Sequence, residues 1–299
     1  MSIKSRVTSW VLVKAANRML GDVTPEQLRG FLGPPDKTLD EVLGVRFAPG
    51  QLGSVAAEEV IGDDTSAGDA LFIHGGGYIA GTAAHFRKLF SPLARDLGLR
   101  GWSIDYRLAP EHPFPAAVDD GIEAYRALLS QGADPRRLIV SGESAGGAIA
   151  LATLILARDE GLPMPAALHL FWPQTDLTLS GDSLVYNRGK DFLTIGLVES
   201  SARMYLSGAD ASDPRASPLL ANLEGLPPTM VQVGERDMIR SDGERLVDAL
   251  EAAGTRAVIE VQPRAIHGFA AAGDDQPESR EALARATAWL RAQLAVAVG

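Results

Sequence analysis

The stretch Val140-Ser141-Gly142-Glu143-Ser144-Ala145-Gly146-Gly147 decides the fold, because it sets Gly-x-Ser-x-Gly between two apolar runs of different kinds. Residues 137–140 include a short β-branched run that is typical of a buried strand. Residues 148–157 are rich in Ala and Leu and predict a helix. We therefore expect Ser144 at a sharp strand-to-helix turn, the arrangement known as a nucleophile elbow.

The glycines of this motif answer a steric need. Gly142 and Gly146 stand two positions either side of Ser144, where a sharp turn tolerates no side chains. The turn aims the serine hydroxyl at solvent and leaves the Ala145 amide at a helix N-terminus, where it can bind an anion. Because Gly-x-Ser-x-Gly also occurs in ordinary glycine turns, other segments must support the interpretation.

The composition is that of a globular protein, with 46% hydrophobic and 22% charged residues among 299. This length can bury the core of one large α/β domain or of two smaller ones. The formal net charge of −10 disfavours nucleic acid and anionic membranes as partners. The absence of cysteine excludes disulfides and thiolate chemistry and fits a reducing compartment.

The N-terminal segment combines basic residues with the apolar run Trp10–Val13, a pattern that resembles a signal peptide. Lys14 ends this run too early for a signal peptide. We predict an amphipathic helix instead, with an apolar stripe formed by Ile3, Val7, Trp10 and Val11. Because no stretch approaches transmembrane length, the sequence predicts a cytoplasmic protein without stable membrane insertion.

Helix and strand signals alternate along the remaining chain. Thr24-Pro25-Glu26-Gln27 carries the capping box of a helix that Gly33-Pro34-Pro35 ends. Residues 48–51 predict a hairpin turn, and the apolar residues 70–73 predict a central strand buried on both faces. Further strands are predicted at 42–47, 52–60, 101–104, 137–140, 167–172, 228–233 and 256–261, and helices at 85–97, 115–130, 148–157, 242–253 and 278–295.

This alternation predicts an α/β fold in which helices cover both faces of a largely parallel sheet. Residues 176–214 break the rhythm and carry a predicted helix at 197–206. We interpret them as an insertion on the carboxyl edge of the sheet.

A second glycine cluster, His74-Gly75-Gly76-Gly77, directly follows the strand at 70–73. Its amides can converge on one point, as an oxyanion requires. Gly75-x-Gly77-x-x-Ala80 also matches a dinucleotide fingerprint, with Asp105 as the ribose-binding acid. The oxyanion interpretation is favoured because residues 78–82 make a poor first helical turn, and because a nucleotide site gives no reason for the motif around Ser144.

A serine nucleophile needs a base, usually a histidine held by a carboxylate. His267 follows the last strand through a short loop that can bring it over Ser144, so it is the favoured base. The other histidines fit different places, with His74 supporting the glycine loop, His85 near a helix start, His112 between Glu111 and Pro113, and His169 inside an apolar strand.

The acid that orients the histidine is expected on the loop after the strand predicted at 228–233. Asp237, Glu235 and Asp242 all compete for this role, and Asp237 is the best placed. Asp242 can instead cap the helix that follows. The chain order Ser, Asp, His is that of α/β-hydrolases.

Together these motifs resemble the bacterial branch of the hormone-sensitive-lipase-like carboxylesterases, which have the α/β-hydrolase fold. The matching pieces span about two-thirds of the chain and are His74-Gly75-Gly76-Gly77, residues 105–117, Gly142-Glu143-Ser144-Ala145-Gly146-Gly147, Asp237 and His267-Gly268-Phe269. One departure is Glu143, because many members of the family have Asp before the serine.

The resemblance implies roles for these residues. Ser144 is the implied nucleophile, His267 the base and Asp237 its orienting acid, and the amides of Gly76, Gly77 and Ala145 form the implied oxyanion hole. The family also implies a helical lid, for which residues 1–35 and the insertion 176–214 occupy the matching positions, beside a catalytic domain at 36–299.

We therefore expect a serine carboxylesterase that hydrolyses short-to-medium acyl esters through an acyl-enzyme, without metal or cofactor. A lactone hydrolase with the same triad is the alternative that the sequence cannot separate. A nucleotide-binding oxidoreductase and a silent binding protein on the same fold are more remote. The expected partner is a small-molecule ester or lactone, and the sequence leaves open whether the chain forms a homo-oligomer.

Overall fold

A sheet of eight strands organises the protein in a computed structural model that describes residue 13, residues 22–35 and residues 44–298. The strands are β1 (Arg46–Leu52), β2 (Val55–Ile61), β3 (Gly68–Ile73), β4 (Leu99–Ile104), β5 (Leu138–Glu143), β6 (Ala167–Phe171), β7 (Thr229–Gly234) and β8 (Ala257–Gln262). Their order is β1-β2-β4-β3-β5-β6-β7-β8, in which β2 pairs antiparallel with β1 and β4. All other pairings are parallel, which confirms the predicted sheet.

Helices cover the sheet and form its connections. They are α1 (Pro25–Leu32), α2 (Arg87–Leu97), α3 (Ala116–Ser130), α4 (Ala145–Asp159), α5 (Ser183–Tyr186), α6 (Ile195–Leu206), α7 (Arg240–Ala252) and α8 (Pro277–Val298). Within the described ranges, no helix is long and apolar enough to span a lipid bilayer. The predicted helix positions are confirmed to within a few residues wherever the structure describes them.

The central strands are buried on both faces, as the apolar run at 70–73 predicts. Leu71 and Ile73 of β3 belong to a core shared with α3, α4 and α7. Ala70 and Phe72 point the other way, into a core shared with α2 and α8. This alternation follows from the two-residue period of a strand and fixes which helices lie on which face.

The predicted hairpin turn at residues 48–51 is wrong. Residues 48–51 lie inside β1, and the register pairs Leu52 with Val55, so the turn consists of Gly53 and Ser54. Gly53 has φ +64, a conformation that suits glycine in a two-residue turn. Pro49 is tolerated in a strand here because β1 lies at the edge of the sheet. Of the predicted strand at 42–47, residues 42 and 43 lie outside the described residues.

The helix α1 begins and ends as its sequence predicts. The Thr24 hydroxyl accepts from the Gln27 amide at 3.3 Å, and the Gln27 side chain accepts from the Thr24 amide at 2.8 Å. The Gly33 amide donates to the Arg29 carbonyl at 3.2 Å and ends the helix. The amphipathic helix predicted for the first 20 residues lies outside the described residues, except for position 13.

Arg29 fastens α1 to the body of the protein. Its Nε donates to the Ile79 carbonyl at 2.9 Å, and its two terminal nitrogens reach the Glu111 carboxylate at 2.7 and 2.8 Å. A bidentate pair of this kind fixes orientation as well as distance. The helix therefore lies against the segment that follows the glycine loop.

The carboxyl ends of four parallel strands meet at one edge of the sheet. The loop of residues 74–77 follows β3, Ser144 follows β5, Asp237 lies after β7, and His267 lies after β8. In open parallel sheets this edge is where ligands bind. The segment 176–214, which the sequence analysis interprets as an insertion, follows β6 and so leaves the sheet from the same edge.

The turn between β5 and α4 leaves no room for a side chain at Gly146. A Cβ atom there would lie 2.1 Å from the Ile73 carbonyl oxygen and 2.3 Å from that of His74. We expect Gly146→Ala to lower the free energy of unfolding by about 1–3 kcal/mol or more, because the backbone of β3 must move. Urea denaturation measures this loss.

Gly30→Ala is the matched control, because a Cβ at this exposed position of α1 meets no atom within 4 Å. We expect this variant to be neutral or up to about 1 kcal/mol more stable. Equal stabilities for the two variants would contradict the close packing of the turn.

Candidate active site

Ser144 occupies a strained position between β5 and α4. Its φ of 52° and ψ of −123° lie where a residue with a side chain is rarely found, which is typical of functional turns. The turn is held by its own backbone hydrogen bonds. The Ser144 amide donates to the Phe171 carbonyl, and the Ser144 carbonyl accepts from the amides of Gly147 and Gln174, each at 3.0 Å.

Ser144, His267 and Asp237 form a continuous chain of hydrogen bonds. His267 Nε2 lies 3.0 Å from Ser144 Oγ, and His267 Nδ1 lies 3.1 Å from each carboxylate oxygen of Asp237. All three residues are buried, with Asp237 fully so. The structure thus brings together the three residues that the sequence analysis selects. Asp237 and Ser144 lie 30 and 123 positions from His267 in the chain.

Opposing effects set the pKa of His267. Burial lowers the pKa, because a charged imidazolium loses water. The charge of Asp237 and its hydrogen bond raise it, as do the charges of Asp191 and Glu143, and the net effect is a pKa above its usual value of about 6.5. The surroundings therefore stabilise a positive charge on the ring that hydrogen-bonds to Ser144.

The glycine loop after β3 faces the same space. Gly76 and Gly77 have φ of 106° and 61°, and both line the cavity that contains Ser144 and His267. The Gly76 carbonyl accepts from the amides of Ile79 and Ala80 at 3.2 and 3.1 Å, which folds the loop back on itself. Ala145 is the first residue of α4, where an amide has no carbonyl partner within the helix.

The dinucleotide alternative for this loop finds no support. A dinucleotide fingerprint requires a helix that opens on the glycines, whereas α2 begins only at Arg87. Asp105, the candidate ribose-binding acid, accepts from the Ala83 amide at 2.7 Å and so supports the intervening turn.

Two buried side chains, those of His74 and Glu143, support the glycine loop through contacts with Gly75. His74 stacks against Tyr106 and Phe86, and its Nδ1 contacts the Gly75 carbonyl at 2.7 Å. Glu143 accepts a hydrogen bond from the Gly75 amide and another from Trp172 Nε1 at 2.8 Å. Burial lowers the pKa of His74 to about 4, so the ring is neutral near neutral pH.

A mostly apolar cavity of about 370 Å³ opens at Ser144. Its walls come from α1, from the insertion 176–214 and from the loop after β8. Among the apolar lining residues are Leu28, Phe31 and Leu32 of α1, Phe192, Leu193, Leu197 and Val198 of the insertion, and Ile266, Phe269 and Ala271 after β8. Such a chamber suits an apolar group placed next to the serine hydroxyl.

Comparisons with known proteins point to one family. A family model described as the alpha/beta hydrolase fold matches residues 70–271. The chain belongs to the alpha/beta-hydrolase family. An esterase of Acinetobacter venetianus is 33% identical over 265 residues, which covers 88% of each chain.

Among the alpha/beta hydrolases, solved esterase structures resemble this chain over nearly its whole length. The crystal structure of EstE5 soaked with p-nitrophenyl butyrate has a TM-score of 0.92 and 36% identity, and covers 99% of this chain and 100% of EstE5. An esterase from the bacterial hormone-sensitive lipase family has a TM-score of 0.89 and 33% identity, covering 98% and 99% of the two chains. The resemblance that the motifs carry is therefore confirmed.

In this hydrolase the competing acids do not reach His267. The Glu235 carboxylate accepts from the Arg264 amide at 2.5 Å and is exposed. Asp242 is buried, and one of its oxygens accepts from the amides of Thr175 and Asp176 at 2.9 and 3.1 Å.

The expectation that Asp242 caps a helix is wrong. The helix α7 begins at Arg240 after Ile239, which provides no side-chain cap, and Asp242 lies inside its first turn. Asp242 instead holds the start of the insertion against α7. Sequence reasoning missed this because a helix cap and a carboxylate that binds a distant loop look alike in a single sequence.

The remaining histidines of the hydrolase lie away from Ser144. His169 is buried between Ser141 and Gln232, with a pKa lowered to about 4 by burial. His85 contacts the Thr82 hydroxyl and the Gly33 carbonyl at 2.7 and 2.9 Å, and His112 is exposed.

Trp172 and Asp191 are neighbours of His267 that sequence reasoning did not select. The Trp172 ring, directly after β6, lies against the His267 ring, and the Asp191 carboxylate of the insertion lies near the His267 amide. Neither residue lies in a motif, so a single sequence carries no signal for them.

Asp242 makes the stability of the hydrolase depend on pH. Burial and the neighbouring Asp176 raise the pKa of Asp242 to about 8. Because this folded-state pKa exceeds the unfolded value of about 3.9, the favourable contribution of Asp242 is complete below about pH 4 and is lost as pH rises towards 8. An amide at this position does not ionise, so Asp242→Asn should become more stable relative to the parent protein over this range.

Chemical denaturation of both proteins at pH 5 and pH 8 measures this difference. Esterase turnover of the variant should stay within about threefold of the parent, because Asn can still accept the two backbone hydrogen bonds. A stability difference that does not change with pH would contradict the buried, protonated state of Asp242.

Proposed function

We propose that this carboxylic ester hydrolase cleaves short-to-medium acyl esters with Ser144 as nucleophile, His267 as general base and Asp237 as orienting acid. The observation that carries the proposal is the unbroken hydrogen-bond chain from Ser144 Oγ through His267 to Asp237. A serine hydroxyl is a weak nucleophile until a base at hydrogen-bond distance removes its proton.

In the first half-reaction, His267 takes the Ser144 proton as Oγ attacks the ester carbonyl. The imidazolium that forms is stabilised by Asp237, whose two oxygens lie 3.1 Å from Nδ1. The tetrahedral oxyanion would be bound by the amides of Gly76, Gly77 and Ala145, which is the arrangement that oxyanion holes use. His267 then protonates the leaving alcohol, and Ser144 keeps the acyl group.

The second half-reaction repeats these steps with water. His267 removes a proton from a water molecule that attacks the acyl-enzyme, and returns it to Ser144 Oγ as the acid leaves. Each step of the proposed mechanism uses only groups of the protein and water.

The size and the walls of the cavity support the proposed acyl-length range. With about 370 Å³ and mainly apolar walls, the chamber can take a short or medium acyl chain. The p-nitrophenyl butyrate soaked into EstE5 is an ester of this class. We assign α1 and the insertion 176–214 as the lid, since residues of both line the cavity that contains Ser144.

Triad substitutions test the proposed mechanism. We expect Ser144→Ala to lose several orders of magnitude in turnover of p-nitrophenyl butyrate, since the triad acts as a unit. Asp237→Asn should lower kcat by about 10⁴-fold or somewhat less, because His267 loses its orienting partner. Steady-state kinetics beside a panel of lactones measures both effects. Activity that survives Ser144→Ala would overturn the proposal.

Leu28 offers a test of the lid. It lines the cavity and approaches Gly77, so Leu28→Ala should lengthen the space for the acyl chain. We expect the ratio of kcat/KM for octanoate over butyrate esters to rise about fourfold for each methylene that gains room, at about 0.8 kcal/mol each.

The matched control for this test is Leu220→Ala, because Leu220 is exposed and does not line the cavity. Its acyl-length profile should equal that of the parent protein. The same profile in Leu28→Ala would show that α1 does not form the acyl pocket.

A further inference from the structure

Asp191 is a fully buried carboxylate in the insertion, and the triad chemistry described above does not use it. It lies between α5 and α6, next to Phe192 and Leu193 of the cavity wall. A buried carboxylate is costly unless hydrogen bonds or charges satisfy it. Its contacts therefore indicate what it holds in place.

The Asp191 carboxylate accepts backbone amides from both loops that carry the triad. Oδ2 accepts from the Met238 amide at 2.7 Å, and the His267 amide lies 3.3 Å from both oxygens. Met238 directly follows Asp237 in the chain. Oδ1 also accepts from the amide of its own neighbour Phe192 at 2.6 Å. One side chain thus joins three segments: the loop that carries Asp237 (the acid loop), the loop that carries His267 (the histidine loop) and the insertion.

Asn187 makes a second connection from the same segment. Its Nδ2 donates to the carbonyls of Glu235 and Asp237 at 3.1 and 2.8 Å. Within the segment 187–191, Asp191 therefore accepts from the Met238 amide, and Asn187 donates to the Glu235 and Asp237 carbonyls. Neither contact involves the side chain of Asp237, whose carboxylate binds His267 and accepts from the Ile239 amide.

Asp191 also contributes charge close to His267. Among the described residues, the charges that act on this ring come from Asp237, Asp191 and Glu143, and Ser144 Oγ contacts Nε2. Burial and the Asp237 charge raise the pKa of Asp191, and the ionised form of Asp191 in turn raises the pKa of His267. The two carboxylates thus act on the imidazole from different elements.

We propose that Asp191 is a positioning residue of the triad, which fixes the distance and charge environment of His267 relative to Asp237 by holding the backbones of both loops. The inference rests on the proposed roles of Ser144, His267 and Asp237. Under this proposal the insertion has two roles, because it lines the cavity and also holds the loops that carry Asp237 and His267. Substrate contacts are not required of Asp191, so its loss should affect kcat more than KM.

Asp191→Asn is the direct test. An amide keeps the volume but presents one acceptor oxygen and an NH₂ group, so at least one of the backbone amides loses its partner. We expect kcat for p-nitrophenyl butyrate to fall on the order of 10- to 100-fold with little change in KM, since small displacements of a reacting group have effects of this size. Because a negative charge is removed, the acid limb of the pH profile of kcat/KM should move to lower pH.

Two further variants separate charge, position and general damage. Asp182→Asn makes the same charge change at an exposed position of the insertion and should leave kcat and the pH profile unchanged. Asn187→Ala removes the second connection without changing charge, so kcat should fall while the acid limb stays in place. Thermal unfolding of each variant shows whether it is folded under assay conditions.

A measurement without substitution covers the case in which Asp191→Asn does not fold. In amide hydrogen-exchange NMR of the parent protein, the Met238 and His267 amides should be protected, because each lies at hydrogen-bond distance from the Asp191 carboxylate. A folded Asp191→Asn variant with parental kcat and acid limb, or Met238 and His267 amides that exchange freely with solvent, would overturn the inference. Ser144→Ala, assayed in parallel, tests the proposed function separately, because its residual activity does not depend on Asp191.

Discussion

The close contact between the turn at Ser144 and the end of β3 is the constraint on which the site depends. Gly146 lies against the carbonyls of Ile73 and His74, so the serine turn and the glycine loop are fixed relative to each other. Glu143 strengthens this contact by accepting from the Gly75 amide. The proposed nucleophile and the proposed oxyanion donors therefore belong to one rigid unit at the edge of the sheet, which is what preorganised catalysis needs.

The other half of the site is assembled from loops that the sheet alone does not fix. His267 and Asp237 follow β8 and β7, and the insertion contacts both loops through Asn187 and Asp191. Three buried carboxylates, Glu143, Asp191 and Asp237, surround one imidazole. Their combined charge opposes the effect of burial on the pKa of His267, so the ring can accept a proton in an apolar setting.

Much of the fold and site could be predicted because the relevant signals are local. The strand, elbow and helix around Ser144 appear between residues 137 and 157, and the Thr24 capping box needs only four residues. The sequence misplaces the hairpin turn because Pro49 and Gly50 look like turn residues, and only the strand pairing shows that β1 is an edge strand.

The missing parts depend on contacts between distant residues. Asp191 lies 47 positions from Met238 and 76 from His267, in a segment without periodicity, so its role needs the tertiary structure. The same holds for Asp242, whose partners Thr175 and Asp176 lie 67 and 66 positions away. Motifs thus identify the groups that react, whereas the groups that hold them emerge only from the folded chain.

Covalent labelling tests the central claim, that Ser144 is a nucleophile activated by His267, most directly. The protein is treated with a p-nitrophenyl organophosphate, released p-nitrophenolate is counted, and the modified peptide is identified by mass spectrometry. The account predicts one equivalent of p-nitrophenolate per active chain, loss of esterase activity in proportion, and the adduct on Ser144 alone. An inactivated protein with its adduct on another residue, or an unmodified Ser144 in a fully inhibited sample, would contradict it.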